Sequence, residues 1–320
     1  MLSAGVRARI RVQALNADTR CMSVMTAPEA TSSRALACAS VIIPAHNEAR
    51  VIRRCLEALF TGLGEHRLEV IVVCNGCDDD TAAQARAAGH DVLVLEIEAA
   101  SKTAALRLGD ATATVFPRLY LDGDVALPGA SAVAVARRLA AGAIAARPPI
   151  RYDSSRSSGP VRSYYRARAE MPAVMRSLWG AGIYGLSAAG RARFDSFPDL
   201  VADDLWLDRQ FEADEIEIVD CAPVIVAVPR ASRDLIHMLR RTYRGKAEHS
   251  PARGHDERAR SVTNGAVRDL RALARSGPRA ARDAVTYAAF AAGARLAMAA
   301  AGAARPGGVS WERDDSSRGA

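Results

Sequence analysis

Four short apolar runs punctuate the first half of the chain: Ser40-Val41-Ile42-Ile43-Pro44, Leu68 to Cys74, Asp91-Val92-Leu93-Val94-Leu95 and Arg118-Leu119-Tyr120-Leu121. Each is too short for a helix and is bounded by turn residues, so each predicts a strand, the first ended by its proline. Between them the period changes. Glu48 to about Leu63 carries Val51, Ile52, Cys55, Leu56, Leu59 and Phe60 at helical spacing. Asp78, Asp79 and Asp80 crowd a second helix start, where acids suit the dipole, and Lys102 to Val115 predicts a third helix. Strands and helices alternating in this way predict an α/β fold, a Rossmann-like and mostly parallel sheet flanked by helices.

The pattern continues with a helix near Gly129 to Ala141 and a short strand at Ala143 to Ala146, ended by Arg147-Pro148-Pro149. Asp153 to Gly159 is a Ser-rich loop, and Val161 to Leu178 predicts a helix kinked or broken near Pro172. Gly180 to Gly185 is glycine-dense, suited to close approach by a ligand or simply a loop. Leu205, Trp206 and Phe211 predict a helix that Asp203 or Asp204 can cap, and strands are expected at Glu217 to Val219 and Val224 to Val228. Arg240 to Lys246 concentrates positive charge on one helix, either a solvated face or a diphosphate clamp. Asp283 to Ala304 predicts an alanine-rich helix with Arg295 inside it. Val285 and Leu296 fall on one side of its wheel and Tyr287 and Met298 nearly opposite, so no clean amphipathic stripe forms. That helix is expected to pack on the catalytic domain or rest on the inner membrane face rather than span a membrane.

At 320 residues, with 49% hydrophobic and 25% charged residues, the composition is that of a globular protein able to bury a sizeable core. The net charge of +7 comes with no basic run interleaved with aromatics, which argues against a nucleic-acid partner. Cys21, Cys38, Cys55, Cys74, Cys77 and Cys221 are scattered, so the chain is not a secreted disulfide framework and a reducing cytoplasm is expected. Cys74-Asn75-Gly76-Cys77 is a CxxC without the second pair a zinc site needs, leaving a redox role as its alternative. Residues 1–39 lack a signal-peptide core and are expected to be disordered, and 306–320 to be a mobile tail. No GxGxxG follows the first strand and no P-loop occurs, which excludes dinucleotide-dependent and P-loop enzymes.

The candidate chemistry lies at Asp122-Gly123-Asp124, where the fourth apolar run stops. Alternate strand residues share a face, so the two carboxylates can converge on a divalent cation that also holds phosphate oxygens. Gly123 offers no side chain to block a bulky ligand, although Asp-Gly-Asp is also common turn chemistry. Ala45-His46-Asn47-Glu48 occupies the first strand-to-helix turn, where open α/β sheets place their ligands.

In this order the motifs resemble those of the family 2 glycosyltransferases of GT-A fold, from Val41 to about Lys246. Val41 to Glu48 resembles the opening nucleotide-binding strand and turn, Asn75 to Thr81 the second turn, and Ser101 to Leu106 the GK-x-x-A-L segment. Asp122-Gly123-Asp124 is similar to the metal-binding DxD, Asp203-Asp204 to the acidic pair holding the catalytic base, and Arg241 to Gly245 to the basic motif beyond it. Asn75 replaces a base-contacting aspartate, Ser101 a glycine and Arg107 an asparagine; the Gln-x-x-Arg-Trp of processive synthases is not intact.

The resemblance implies a hexosyltransferase-type enzyme. It would transfer one sugar at a time, with inversion, from a nucleotide-diphosphate sugar (UDP favoured) to an acceptor hydroxyl. The acceptor would be a glycan, a lipid-linked or a small molecule, in glycolipid, polysaccharide or natural-product glycosylation. Pro44, Ala45, His46, Glu48, Asn75, Lys102, Asp122, Gly123, Asp124, Arg241 and Arg244 are expected to bind the donor, Asp124 and Asp122 holding Mn²⁺ or Mg²⁺. Asp204 is expected to be the general base, with Asp203 capping the helix or holding a neighbouring group. The expected organisation is 40–248 as the glycosyltransferase domain and 249–305 as a helical extension, in a cytoplasmic protein peripheral to the inner membrane face. The alternatives are a degenerate domain acting as a binding or scaffold subunit, and a sugar-nucleotide nucleotidyltransferase. The latter would want a glycine-rich triphosphate loop where Pro44-Ala45-His46-Asn47 stands.

Overall fold

The computed structural model describes residues 38–200, 203–248 and 256–302. The proposed disordered start, apart from Cys38 and Ala39, and the proposed mobile tail 306–320 lie outside the described residues. The strands are β1 (Ser40–Ala45), β2 (Glu69–Asn75), β3 (Val92–Ile97), β4 (Arg118–Leu121), β5 (Ala145–Arg147), β6 (Ile150–Asp153), β7 (Ile183–Leu186), β8 (Ile216–Ile218) and β9 (Val224–Ala227). The N-terminal helices are α1 (Ile52–Phe60), α2 (Thr81–Arg86), α3 (Lys102–Thr112) and α4 (Gly129–Ala140). Then come α5 (Gly159–Ala169), α6 (Pro172–Met175), α7 (Ala188–Arg191), α8 (Asp203–Asp208), α9 (Ser232–Glu248), α10 (Asp256–Arg275) and α11 (Pro278–Gly302).

A seven-stranded sheet runs in the order β3-β2-β1-β4-β7-β5-β8, and β6 pairs with β9 in a separate ribbon. β1 to β4 are mutually parallel, and all six residues of β1 are buried. Helices cover both faces of such a strand, which is why it reads as an unbroken apolar run. α1 lays Ile52, Cys55, Leu56 and Leu59 against the sheet at i, i+3, i+4 and i+7. It starts at Ile52 rather than Glu48, because Glu48 to Val51 form a separate turn whose Glu48 carbonyl accepts from Val51 and Ile52.

The glycine-dense stretch is not all loop. Ile183–Leu186 is β7, antiparallel to β4 and β5 and wedged between them. Leu121 therefore faces Ile183, and the loop before β7 is delivered to the end of β4 where Asp122 begins. The helix expected from Val161 to Leu178 breaks into α5 and α6, since Pro172 has no N–H to continue the ladder. Arg147, 0% exposed at the end of β5, secures the chain where it leaves α6. It donates to the carbonyls of Met175 at 2.6 Å, Pro148 at 2.7 Å and Ser177 at 2.5 Å. Burial lowers its pKa to about 10, which still leaves it charged at neutral pH.

α11 packs against α5, α9 and α10. Val285 and Leu296 stay exposed, at 68% and 72%, while Tyr287 and Phe290 join a cluster with Tyr164, Tyr165, Leu235 and Leu239. Among the described residues no helix is long and apolar enough to cross a membrane. The docking of α11 is fixed by Asp283, whose buried carboxylate accepts two bonds from Arg166 of α5, both at 2.7 Å, and one from Ser163. The Arg166 hydrogen bonds hold the pKa of Asp283 below the usual aspartate value. A depressed carboxylate stabilises the fold fully above about pH 4 and loses that contribution as pH falls through its folded value. Asp283→Asn should therefore cost ~2 kcal/mol at pH 7 and progressively less toward pH 3, as read from urea denaturation.

Candidate active site

The site begins as two turns locked together at the carboxyl ends of β1 and β2. Asn47 adopts a left-handed φ of 54°, which its short amide side chain tolerates, and its Oδ1 accepts from the Asp78 N–H at 2.9 Å. Glu48 N–H donates to Thr81 Oγ1 at 2.7 Å, and Ala49 N–H to Asp79 Oδ2 at 3.2 Å. His46 Nδ1 lies 2.6 Å from the Asn75 carbonyl. Cys77 Sγ accepts from Asn47 N–H at 3.4 Å and donates to the Ala45 carbonyl at 3.5 Å. The CxxC cysteines thus face the inside of this lattice. A hydrogen bond from Cys74 lowers the Cys77 thiol to about 6, while the same bond and burial push Cys74 upward.

The acids converge from two further directions. β4 ends at Leu121, and Asp122 to Val125 form a turn in which the Asp122 carbonyl accepts from Val125 N–H at 3.0 Å. Asp122 and Asp124 therefore reach one cavity by the curl of a turn, not by strand alternation. The turn is anchored on its other side by Asp122 N–H to the Gly182 carbonyl at 2.8 Å. Gly182 has φ +66°, and a Cβ there would stand 2.5 Å from Val125, so glycine is required. At Gly123 a Cβ would meet only ordinary contacts within the protein, such as Glu48 Cγ at 3.5 Å.

Lys102 opens α3 behind Ser101, whose hydroxyl caps the helix by accepting from Ala104 N–H at 3.2 Å. Its Nζ lies 2.8 Å from Asp122 Oδ1 and 3.1 Å from Asp203 Oδ1. Burial disfavours the ammonium, but Asp122, Asp203 and Asp204 outweigh it and hold Lys102 well above the ordinary lysine value. Asp203 is 2% exposed, and burial pushes it up to about 6, opposed by Lys102 and reinforced by Asp204 and Asp122. Asp204 is half-buried and accepts from Leu205 N–H at 2.7 Å and Gly180 N–H at 3.1 Å. Asp204 is thus held by backbone N–H groups, while Asp203 is taken by Lys102.

One cavity of about 410 Å³ is lined by Pro44, His46, Glu48, Asn75, Lys102, Asp122, Gly123, Asp124, Asp203, Asp204 and Arg241. Of the residues expected to bind a donor, Ala45 does not line it; its methyl is buried in the core at the end of β1. The side chain of Arg244 lies outside the described residues. Sequence reasoning missed the opposite wall, built by Tyr152, Tyr165, Arg168, Trp179, Tyr243 and Tyr287. Its one trace in the sequence is the aromatic density from Tyr164 to Trp179. Buried polar atoms of the cavity residues, Asn75 Nδ2 and Asp203 Oδ2 among them, have no hydrogen-bond partner among the described residues, as expected where a polar ligand completes the set.

Among the described residues no three His, Cys, Asp or Glu side chains cage a metal by themselves. Asp122 and Asp124 nonetheless fit a hard cation that takes one or two protein carboxylates and completes its shell with phosphate oxygens and water.

A mostly parallel sheet with an acid-lined cavity at the β1/β4 switch point, and a DxD turn in that cavity, is the arrangement of the GT-A fold. Residues 40–181, less than half of the chain, match the family model described as Glycosyl transferase family 2. The fold is similar to that of the mannosyltransferase PcManGT from Pyrobaculum calidifontis, solved with GDP-Man and Mn²⁺. Identity is 20%, TM-score 0.57, covering 82% of this chain and 86% of that one. S. aureus TarS residues 1–349, solved with UDP-GlcNAc, match at 14% identity and TM-score 0.48, covering 81% and 92%. No curated protein matches the sequence.

Asp203 gives a pH test with a definite sign. A carboxylate raised from 3.8 to about 6 binds its proton more tightly folded than unfolded. The fold should therefore lose stability as pH rises through that window. Denaturation midpoints from pH 4 to 7 should show wild type falling relative to Asp203→Asn; a difference independent of pH would contradict the assignment.

Proposed function

We propose that the protein is a glycosyltransferase that moves a single sugar, with inversion, from a UDP-sugar to an acceptor hydroxyl. The observation that carries this is the convergence of Lys102, Asp122, Asp124, Asp203 and Asp204 on one cavity with the two locked turns. Asn75, with a buried amide donor to offer, belongs at the base, since uracil presents carbonyl acceptors beside its N–H. Asp122 and Asp124 would hold Mn²⁺ or Mg²⁺, which when bound neutralises charge on the diphosphate. Arg241 reaches the same cavity from α9 and adds positive charge to that end.

Asp204 is the base. Its carboxylate is fixed by two backbone N–H groups and remains partly open to the cavity, where an acceptor hydroxyl can approach. It removes the hydroxyl proton as that oxygen attacks the anomeric carbon from the face opposite the diphosphate. The bond between the anomeric carbon and the diphosphate oxygen breaks, its electron pair leaving with the nucleoside diphosphate. One displacement inverts the configuration. Asp203 acts through Lys102, keeping the ammonium beside Asp122 where the diphosphate must lie.

Asp204→Asn should retain UDP binding and lose ~10²–10⁴ in turnover, measured as nucleoside diphosphate release with a competent acceptor. Asp124→Asn should abolish the Mn²⁺-dependent part of UDP binding without lowering the melting temperature of the free protein. Wild-type UDP binding without any turnover would support the scaffold alternative, and a product of retained configuration would overturn the mechanism.

A further inference from the structure

The aromatic half of the cavity has no part in donor binding as proposed, yet it is heavily built. Five of the seven tyrosines of the chain line it, with Trp179 beside them. They arrive from β6 (Tyr152), α5 (Tyr164, Tyr165), α9 (Tyr243) and α11 (Tyr287). The deeper rings pack on each other: Tyr164 stacks on Tyr287 at 4.6 Å and meets Tyr165 edge-on at 5.1 Å.

Packing does not account for Arg168. Its Nε donates to the Tyr152 hydroxyl at 2.8 Å, and its guanidinium lies over the Trp179 ring at 4.7 Å and the Tyr152 ring at 5.8 Å. Among the described residues no carboxylate pairs with it and its two Nη groups meet no acceptor. Ring faces compensate only part of the desolvation of a guanidinium. The neighbouring Arg147, by contrast, has all its nitrogens on carbonyl oxygens. Arg168 thus presents a planar fork to the cavity, the geometry that binds carboxylate or phosphate in a bidentate manner.

Its position relates it to the chemistry. Arg168 Nη2 lies 3.5 Å from where a Cβ on Gly180 would be, and the Gly180 N–H donates to Asp204 at 3.1 Å. The cation and Asp204 therefore flank the same residue. The geometry points to an anionic acceptor site: Arg168 binds a carboxylate or phosphate on the acceptor while its sugar-sized body lies against Trp179 and the tyrosines and presents a hydroxyl to Asp204. This rests on the donor and base assignments proposed above.

The test titrates glucuronate, glucose 6-phosphate and glucose into protein saturated with UDP and Mn²⁺, following binding by calorimetry and saturation-transfer NMR. At least one anion should bind about tenfold or more tighter than glucose, and which of the two wins identifies the group. Arg168→Met should remove that preference, and Arg168→Lys should keep only part of it, because lysine retains charge without the fork. Equal affinity for all three sugars in wild type, or a preference surviving in Arg168→Met, overturns the assignment. If Arg168→Met melts too early to titrate, Arg168→Lys decides, and unchanged affinity for both anions overturns it. UDP affinity is read in the same samples. Absence of UDP binding in wild type overturns the donor reading alone, whereas a loss confined to the Arg168 variants shows that the fork serves the donor and overturns the acceptor site.

Discussion

Carboxylates cannot crowd into a half-buried cavity without a cation among them, and here the cation that bridges two of them is Lys102. Its Nζ spans Asp122 of the β4 turn and Asp203 of α8, joining two segments far apart in sequence. Like charges at such separations in low dielectric would take up a proton or move apart. The ammonium offsets that repulsion, while Asp203, the most deeply buried acid of the cavity, has its pKa raised by burial first and then by Asp204 and Asp122. Everything upstream serves to place that one nitrogen: Ser101 caps α3, α3 packs against β1 and β2, and the parallel pairing of β1 with β4 brings the Asp122 turn alongside.

Much of this arrangement is legible in the amino-acid order. The central strands read clearly because both faces are covered, which leaves no polar alternation to confuse them with surface segments. The α/β class follows from their spacing, and the family resemblance from the motifs that occupy the turns. Asp122 and Asp124 stand out for a partly mistaken reason, since a turn and not a strand aims them, yet the residue types are the same for either geometry.

The features that escape sequence reading are long-range. β7 is four residues in a glycine-rich stretch, stable only because β4 and β5 flank it. The aromatic wall is assembled from separate elements whose mutual positions no local pattern encodes. α11 hides its buried face because alanine methyls are tolerated buried or exposed, so Asp283, Tyr287 and Phe290 mark the side that docks. Asp203 and Asp204 can be named as a pair, and the family resemblance puts the base at Asp204, but the partners that separate them, Lys102 and Gly180, lie far away in sequence.

The antiparallel seat of β7 also divides the molecule into a part free to vary and a part that is not. On one side of the cavity, turns stitched by backbone and side-chain bonds leave almost no latitude: moving Asn47 or Thr81 disturbs several neighbours at once. On the other, the Trp179 to Gly182 segment is tethered at its ends, by Arg147 clamping Ser177 and by Leu121 facing Ile183. Trp179, between those tethers, is only half-buried and can be exchanged without loosening the sheet, whereas Ala181 is packed into the core. A lineage built on this scaffold could then rewrite the wall of the cavity at Trp179, while the stitched turns across from it are inherited intact.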